Sequence, residues 1–231
     1  MNYLMRIEPL GDSALLVRVV EEFDAAKSLD AVLRATQQLE RAKIPGVVEF
    51  VPAYTTIGIF FDPGRIGPFD ELRTNIERAL EQDLEPTLPR ETVSIIEVPV
   101  CYESEFAPDL DEVARHAGLS QDEIIHRHSS ALYRVSCVGF TPGFAYLSGL
   151  PPELATPRRA SPRKEVPAGA VAIGGSQTGV YPRKSPGGWN IIGRAPLRFF
   201  DIERNPPALF QAGDRVRFRK ISREEFDRLM Q

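Results

Sequence analysis

Three glycine- and proline-rich segments in the second half of the chain constrain its fold more than any other feature. They span residues 139–146, 174–182 and 185–193. Gly and Pro destabilise the interiors of helices and strands, so their clustering predicts loops of fixed, unusual shape. These loops also carry aromatic side chains: Phe140, Phe144, Tyr146, Tyr181 and Trp189. Stiff loops that present aromatic and polar groups together are typical of the rim of a ligand pocket.

Length and composition restrict the class of protein. The 231 residues suffice for one large domain or two small ones, and 42% hydrophobic with 26% charged residues is ordinary for a soluble globular protein. The sequence has no apolar run near the ~20 residues that span a bilayer, and no basic, apolar start typical of a secretory signal. Cys101 and Cys137 are too few for a disulfide framework and indicate a reducing compartment. We therefore expect a cytoplasmic protein without membrane contact.

Charge is spread unevenly along the chain. The net charge is −4, yet the segment from Arg158 to Arg198 has eight basic residues and a single acidic one, Glu165. A basic field over a loop-rich region favours an anionic ligand such as a carboxylate or a phosphate. The alternative is a solvated, positively charged face with no ligand.

The first hundred residues alternate between strand and helix patterns. Helices are indicated by apolar stripes within 24–42 and from Phe69 to Leu80. Strands are indicated at 6–9, 15–20, 47–51, 55–61 and 92–100. The resulting order, β-β-α-β-β-α-β, predicts an α+β sandwich of the ferredoxin-like kind, with the last strand closing either this sheet or the next one.

The rest of the chain carries two short helices and then many short strands. Asp109 stands where it could cap the first helix, and Ser120 with Glu123 forms a capping box for the second. Short apolar segments at 133–138, 170–173, 180–181, 190–192, 197–200 and 215–219 lie between Gly/Pro loops and predict a closed β-barrel. We therefore expect an N-terminal α+β domain over 1–89 and a C-terminal β-barrel domain over 90–231.

Three common kinds of site are disfavoured by the residues themselves. The helix that opens at Gln121 begins with acidic side chains, which would repel DNA phosphates. The segment ending Arg183-Lys184-Ser185 lacks the Gly before Lys that a phosphate-binding P-loop requires, and Pro182 removes a backbone amide. His126 and His128 are two residues apart, face different sides of a helix, and predict no shared metal.

Seven ordered motifs in the region from Tyr102 to Phe218 resemble the KipI (PxpB) family. This family includes the B-type subunit of ATP-dependent 5-oxoprolinase and the first subunit of allophanate-hydrolase-type enzymes. The motifs are 106–110 (Phe-Ala-Pro-Asp-Leu), 128–130 (His-Ser-Ser), 139–144 (Gly-Phe-Thr-Pro-Gly-Phe), 155–159 (Ala-Thr-Pro-Arg-Arg), 166–169 (Val-Pro-Ala-Gly), 177–182 (Gln-Thr-Gly-Val-Tyr-Pro) and 185–189 (Ser-Pro-Gly-Gly-Trp). The resemblance implies a cyclophilin-like barrel for the C-terminal domain.

The resemblance also implies an activity and partners. It implies the PxpB-type component of a complex that opens 5-oxo-L-proline to L-glutamate with hydrolysis of ATP, the ATP site being shared with or located in a partner. The implied partners are a homologous KipA/PxpC-type subunit and a LamB/YcsF (PxpA)-type subunit. Two alternatives stay open: a KipI-like inhibitor that contacts a sensor histidine kinase, and a subunit of an allophanate or other amide hydrolase.

Candidate catalytic residues come from the matched motifs. His128 is a candidate acid or base, with a hydrogen bond that fixes the junction before the barrel as the alternative. Asp109 could polarise a water molecule or orient a lysine of a partner, with the helix cap as the alternative. No serine has a base in a recognisable nucleophile motif, so catalysis by this chain alone is not expected.

Candidate substrate contacts lie on the three loops and on the basic strip beside them. Arg163 is the best candidate because Arg binds carboxylates in a bidentate fork. Gln177 and Tyr181 could bond a lactam carbonyl or a carboxylate, and Gly187 and Gly188 would let a ligand approach the backbone. Phe144 would contact the ligand, and the Trp189 indole would form a lid over it, with a place in the core as the alternative for Trp189.

Overall fold

The computed structural model describes residues 6–22, 24, 27–82 and 95–230. The chain divides into two compact units, Met1–Val93 and Ser94–Gln231. The boundary predicted between residues 89 and 90 lies outside the described residues. In the part of the chain that is described, no helix is both long enough and apolar enough to cross a membrane.

The first unit is a four-stranded antiparallel sheet packed against two helices. Its elements are β1 (Arg6–Pro9), β2 (Ala14–Arg18), α1 (Ser28–Ala42), β3 (Val47–Ala53), β4 (Thr56–Phe61) and α2 (Phe69–Glu81). The strand order is β1-β2-β4-β3, and each helix contributes an apolar stripe to a shared aliphatic core. The predicted α+β sandwich is confirmed, and the strand near residue 100 joins the second sheet.

The second unit is built on a seven-stranded sheet. Its elements are β5 (Ile96–Val100), α3 (Leu110–Ala117), α4 (Gln121–Ser130), β6 (Tyr133–Val138), β7 (Ala145–Ser148), β8 (Arg163–Val166), β9 (Ala170–Gly174), β10 (Gln177–Val180), β11 (Ser185–Gly187), β12 (Asn190–Arg194), β13 (Arg215–Lys220) and α5 (Arg223–Leu229). The order in the sheet is β12-β9-β10-β7-β6-β13-β5, while β8 and β11 form a separate two-stranded ribbon.

The two outer strands of this sheet meet and nearly close it into a barrel. Cys101, directly after β5, and Arg194, at the end of β12, exchange two backbone hydrogen bonds of 2.9 Å. A continuous core fills the sheet, including Val98, Tyr133 and Phe218. The predicted barrel is therefore confirmed, and its closure leaves little free strand edge.

The residues between the two helices before the barrel determine where α3 ends and where α4 begins. α3 stops at Gly118, which has a left-handed φ of +66° that few other residues adopt. The Ser120 hydroxyl accepts a bond from the Glu123 amide at 3.3 Å, and the Glu123 carboxylate accepts one from the Ser120 amide at 2.8 Å. The predicted capping box is therefore present, and it fixes where α4 begins.

Not every predicted element forms. Residues 197–200 do not form a strand, since only Phe200 makes an isolated bridge, to Ala208. Three strands were not predicted: β7 begins inside the loop predicted for 139–146 and continues to Ser148, β8 is mostly charged, and β11 contains Pro186. The short β8–β11 ribbon matters because it carries Arg163 opposite Gly187.

Candidate functional site

The three Gly/Pro-rich loops meet in the second unit around an aromatic cluster, which we define as Phe144, Tyr146, Tyr181 and Trp189. The Phe144 ring lies at the centre, with ring centroids 4.9 Å from Tyr146, 5.3 Å from Tyr181 and 5.6 Å from Trp189. All these pairs are edge-to-face, which is the arrangement that aromatic quadrupoles favour. The hypothesis that the loops converge therefore agrees with the structure.

The rings of this cluster are mostly buried. Phe144 and Tyr181 are each 2% exposed and Trp189 is 5% exposed, and they pack with Val166 and Ile191. This placement favours the core alternative for Trp189 over a lid that closes on a ligand. The cluster is therefore a rigid, mostly buried base on which the loops pack, and we call it the aromatic floor. It does not form an accessible wall of a pocket.

Glycines of the 174–182 and 185–193 loops make room for these rings. A β-carbon at Gly174 would lie 2.5 Å from three atoms of the Trp189 indole, and one at Gly187 would overlap the Tyr181 hydroxyl. At Gly188 the nearest atom would be Pro162 Cγ at 3.6 Å, which is ordinary contact. The close approach expected of a ligand at Gly187 is therefore made by Tyr181 of the same chain.

A buried carboxylate lies beside the β8–β11 ribbon and forms what we call the Asp109 clamp, comprising Asp109, Arg159 and Arg163. Arg163 donates to both oxygens of Asp109 at 2.8 Å, and Arg159 donates from Nη1 at 2.8 Å. The Ile191 amide donates to the same carboxylate at 2.7 Å. Asp109 is 4% exposed, so these four bonds offset the free energy of burying its charge.

This clamp changes the expected role of two residues. Asp109 occupies the N-cap position of α3, but its side chain makes no capping bond because Arg159 and Arg163 engage it. Arg163 gives both terminal nitrogens to Asp109, so its fork faces a carboxylate of this chain rather than a ligand. Arg159 uses one nitrogen, and its Nε is buried with no hydrogen-bond partner within the described residues.

The basic field of the sequence is partly neutralised. Besides the clamp, Lys184 pairs with Glu165 at 2.6 Å and Arg198 pairs with Asp201 at 2.9 Å. Arg158 is exposed and lies 6.0 Å above the Trp189 ring, in the geometry of a cation–π contact. The excess positive charge next to the aromatic cluster thus resides in Arg158 and in the clamp, whose three charged side chains leave one net positive charge.

His128 lies fully buried in the barrel core. Its Nε2 is 3.0 Å from the Thr178 hydroxyl, which itself donates to the Ala172 carbonyl, so Nε2 carries the proton and donates to Thr178. Nδ1 then accepts from the Tyr102 hydroxyl at 2.8 Å. The ring also stacks on Phe218 with centroids 4.5 Å apart.

This environment holds His128 neutral. Burial lowers the pKa of the imidazole from its ordinary 6.5 to about 3, because the charged form would lose its hydration. With no exposed surface and both nitrogens bonded, the placement favours the structural alternative. The catalytic roles assigned to His128 and Asp109 stay predictions.

Gln177 and Tyr181 both lie in the neighbourhood of Trp189. Gln177 begins β10 and is paired directly with Gly174, so both residues face the same side of the sheet as the Trp189 indole. Burial raises the pKa of the Tyr181 phenol, which keeps its proton and can donate it to an acceptor. The structure therefore brings Gln177, Tyr181, Gly187, Gly188 and Trp189 together, with Arg163 across the ribbon.

Sequence reasoning missed the partners that hold these groups. Arg159 and Thr178 enter the sequence prediction only as members of the 155–159 and 177–182 motifs, and no role was predicted for the Tyr102 side chain. No local signal could have paired them, since Asp109 and Arg159 are 50 residues apart, as are His128 and Thr178. The one available signal was general: a charged side chain that becomes buried is almost always paired with an opposite charge, so a buried Asp109 requires a basic partner.

Comparison with known families finds one match over most of the chain. Residues 5–210 match the family described as carboxyltransferase domain, subdomain C and D. The match includes most of both units and all three loops of the candidate site.

Similar proteins agree with this match. The chain is 40% identical over 235 residues to the B-type subunit of 5-oxoprolinase from Bacillus subtilis (strain 168), covering 98% of this chain and 97% of that protein. It is 41% identical to the B-type subunit of 5-oxoprolinase from Escherichia coli O157:H7, covering 90% and 93%. Among solved structures, TTHA0988 superposes with a TM-score of 0.75 at 38% identity, over 90% of this chain but only 40% of that longer chain.

Proposed function

The chain belongs to the carboxyltransferase domain family, subdomain C and D, and on that premise we propose that it is the B-type subunit of an ATP-dependent 5-oxoprolinase. In the proposed reaction the complex opens 5-oxo-L-proline to L-glutamate with hydrolysis of ATP. The observation that carries the proposal is the end-to-end similarity to the Bacillus subtilis relative, 40% identical with nearly complete coverage of both chains.

The chemistry of the site suits such a substrate. A lactam is a poor electrophile, and opening it requires that negative charge developing on its carbonyl oxygen be stabilised. The clamp retains one net positive charge beside the aromatic floor, and Arg158 adds another. These charges attract the substrate carboxylate, while the Gln177 amide can donate to the lactam oxygen.

The Asp109 clamp orients this basic group. Because Asp109 holds Arg163 bidentately and Arg159 by one nitrogen, neither guanidinium is free to rotate. A fixed cation needs no rearrangement when charge develops on the substrate, and this is the source of its catalytic value. In this proposal Asp109 acts as a positioning residue.

ATP does not fit the segment of this chain that most resembles a phosphate-binding loop. Residues 179–185 run from β10 to β11 with no helix after them, whereas a P-loop needs a helix N-terminus at its end. Lys184, the residue that would reach the phosphates, pairs with Glu165. We therefore assign the ATP site to a partner subunit, and we assign this chain the binding and orientation of 5-oxoproline.

Reconstitution tests the proposed function directly. The chain is mixed with KipA-type and LamB-type subunits, and 5-oxoproline-dependent ATP hydrolysis and glutamate formation are both measured. We expect activity only in the mixture, and Gln177→Ala should raise KM for 5-oxoproline at least tenfold. Lys164→Ala, an exposed cation next to Arg163, is the matched control and should leave KM unchanged.

Failure of this experiment has a clear form. A mixture that forms yet hydrolyses no ATP in response to 5-oxoproline would refute the proposed function. If the chain alone then inhibited a sensor histidine kinase, the protein-contact alternative would replace it.

A further inference from the structure

Phe140 combines exposure with an unfavourable backbone. Its side chain is 65% exposed, although large apolar residues are usually sheltered from water. Its φ is +69°, in the left-handed region that a bulky residue with a β-carbon rarely adopts. A residue kept in such a conformation with its ring in solvent is not explained by the stability of the isolated chain.

The loop around Phe140 is nevertheless well defined. It joins β6 to β7, and the Gly139 amide donates to the Phe144 carbonyl at 2.9 Å while the Phe144 amide donates to the Thr141 carbonyl at 3.0 Å. The Phe140 ring meets Phe144 edge-on with centroids 5.6 Å apart. The exposed ring is thus held in place by the aromatic floor, as a preorganised anchor would be.

The same loop carries a second unfavourable feature. The Thr141 hydroxyl is buried, and the described residues offer it no hydrogen-bond partner. A buried polar group without a partner destabilises a fold and calls for an explanation. Two unfavourable features in adjacent residues indicate a loop shaped for something other than the stability of this chain.

A second exposed apolar residue lies on a neighbouring segment. Gly143 packs directly against Phe200, since a β-carbon there would lie 2.7 Å from the Phe200 Cβ. Two residues further, Ile202 is 83% exposed, the highest value among the exposed large hydrophobic residues of the described chain. The loop that carries Ile202 is held in place by Arg204, which donates hydrogen bonds to the backbone carbonyls of Phe199 and Pro207.

We propose that Phe140 and Ile202 are the apolar anchors by which this chain docks onto its companion KipA-type subunit. We call this surface the anchor patch, defined by Phe140 and Ile202. The proposal rests on the proposed function, because it needs a complex in which this chain is one subunit.

Several observations favour a companion subunit as the occupant. The patch adjoins the loops of the candidate site, and a partner seated there could complete a site that lacks a catalytic set of its own. The chain corresponds to only 40% of the longer TTHA0988 chain at 38% identity, so in that protein the matched region is joined to a larger remainder. Exposed Arg158 lies above the Trp189 ring, in the aromatic cluster whose Phe144 contacts Phe140, and its charge favours a partner surface with a carboxylate beside an apolar pocket.

The test measures binding separately from catalysis. Affinity of the full chain for the purified KipA-type subunit is measured by titration calorimetry, without 5-oxoproline or ATP. Phe140→Asn should weaken the Kd at least tenfold, because buried aromatic anchors carry a large share of interface energy. The melting temperature of the isolated variant should stay the same or rise, because Asn tolerates a positive φ. Ile202→Ser should weaken binding about threefold or more.

Tyr54→Asn is the matched control. Tyr54 also has a positive φ, +44°, and lies in the β3–β4 turn of the first unit. This variant should bind the companion subunit with an unchanged Kd. The pair separates relief of backbone strain, common to both variants, from loss of an anchor, which only Phe140→Asn should cause.

Three results would overturn the proposal. They are no binding by the wild-type chain, an unchanged Kd for Phe140→Asn, and weaker binding accompanied by a lower melting temperature. If the unchanged Kd came with a raised KM for 5-oxoproline, Phe140 would be a ligand contact instead. A complex that depends on Phe140 but hydrolyses no ATP would refute the proposed function and leave the docking surface intact.

Discussion

The two units bury polar side chains in different ways. Among the described residues of the first unit, the buried polar side chains are Ser28 and Thr36, and each bonds a backbone carbonyl within six residues of itself. In the second unit, Asp109 bonds Arg163 and the Ile191 amide at separations of 54 and 82 residues. The first unit is therefore held by a largely aliphatic core, and the second depends in addition on specific polar pairs between distant segments.

This difference teaches where function can be built. An aliphatic core tolerates substitution as long as volume is preserved, so it places few constraints on individual residues. A buried network fixes the direction of each donor and acceptor, and it fails when one partner is removed. The residues that orient the candidate site all belong to the second kind of unit.

The largest effect should come from Asp109→Asn. The substitution leaves two guanidinium groups with a neutral partner. Breaking a fully buried ion pair costs about 3–5 kcal/mol of unfolding free energy, and we expect a loss toward the lower end because Arg159 and Arg163 are 35% and 25% exposed. Trp189 is the only tryptophan and lies in the second unit, so its fluorescence during urea unfolding reports on that unit. Asp111→Asn, which removes an exposed carboxylate of the same helix, is the control and should change the midpoint little. Equal midpoints for both variants would contradict the comparison.

A smaller effect is expected from Gly187→Ala. The new methyl group would overlap the Tyr181 hydroxyl, and such overpacking destabilises by about 1–3 kcal/mol. Gly188→Ala is the matched control, because its methyl group would meet Pro162 at an ordinary 3.6 Å. The measurement is again the urea midpoint followed by Trp189 fluorescence. If the two variants were equally stable, the ring of Tyr181 would not be packed as described.

His128 should make the stability of the second unit depend on pH. In the unfolded chain the imidazole takes up a proton as the pH falls below its ordinary pKa of 6.5, while in the folded chain it stays neutral down to about 3. The unfolded state then binds more protons, so the free energy of unfolding falls by about 1.4 kcal/mol per pH unit across that window. His128→Gln should remove this component between pH 6 and 5, as measured by unfolding at each pH. His126→Gln, on the exposed face of the same helix, controls for the loss of a histidine.

The smallest effect should appear in the first unit. Arg73 and Glu77 form an exposed ion pair at 2.9 Å on one face of α2, and pairs of this kind stabilise a helix by about 0.3–0.5 kcal/mol. Arg73→Ala should therefore shift the far-ultraviolet circular dichroism midpoint only slightly, and less in high salt. A loss comparable to that of Asp109→Asn would show that exposed charges also hold the fold.

The sequence pattern predicted elements whose side chains repeat regularly. β6 was predicted at 133–138 and forms over Tyr133–Val138, because alternating apolar residues define both its extent and its buried face. The sequence pattern did not predict β11, because Ser, Pro and Gly are poor strand formers. This strand forms through its pairing with β8. The sheet closure between Cys101 and Arg194 has no local signal at all.

The sequence predicted which segments meet at the candidate site, but it did not predict which side chains contact one another there. Loop composition alone indicated that Trp189, Tyr181 and Phe144 would lie together, as they do. The partner of Arg163 could not be inferred, because a guanidinium binds a ligand carboxylate and Asp109 with the same geometry. Only the fold decides which of the two carboxylates is within reach.

The closure of the barrel has a consequence for how the protein is made. β5 is the first strand of the second unit to leave the ribosome, yet it pairs with β13, and Cys101 behind it bonds Arg194. More than a hundred further residues are translated before β13 begins at Arg215. In a nascent chain that stops short of residue 215, the backbone of β5 therefore has no neighbouring strand in the barrel.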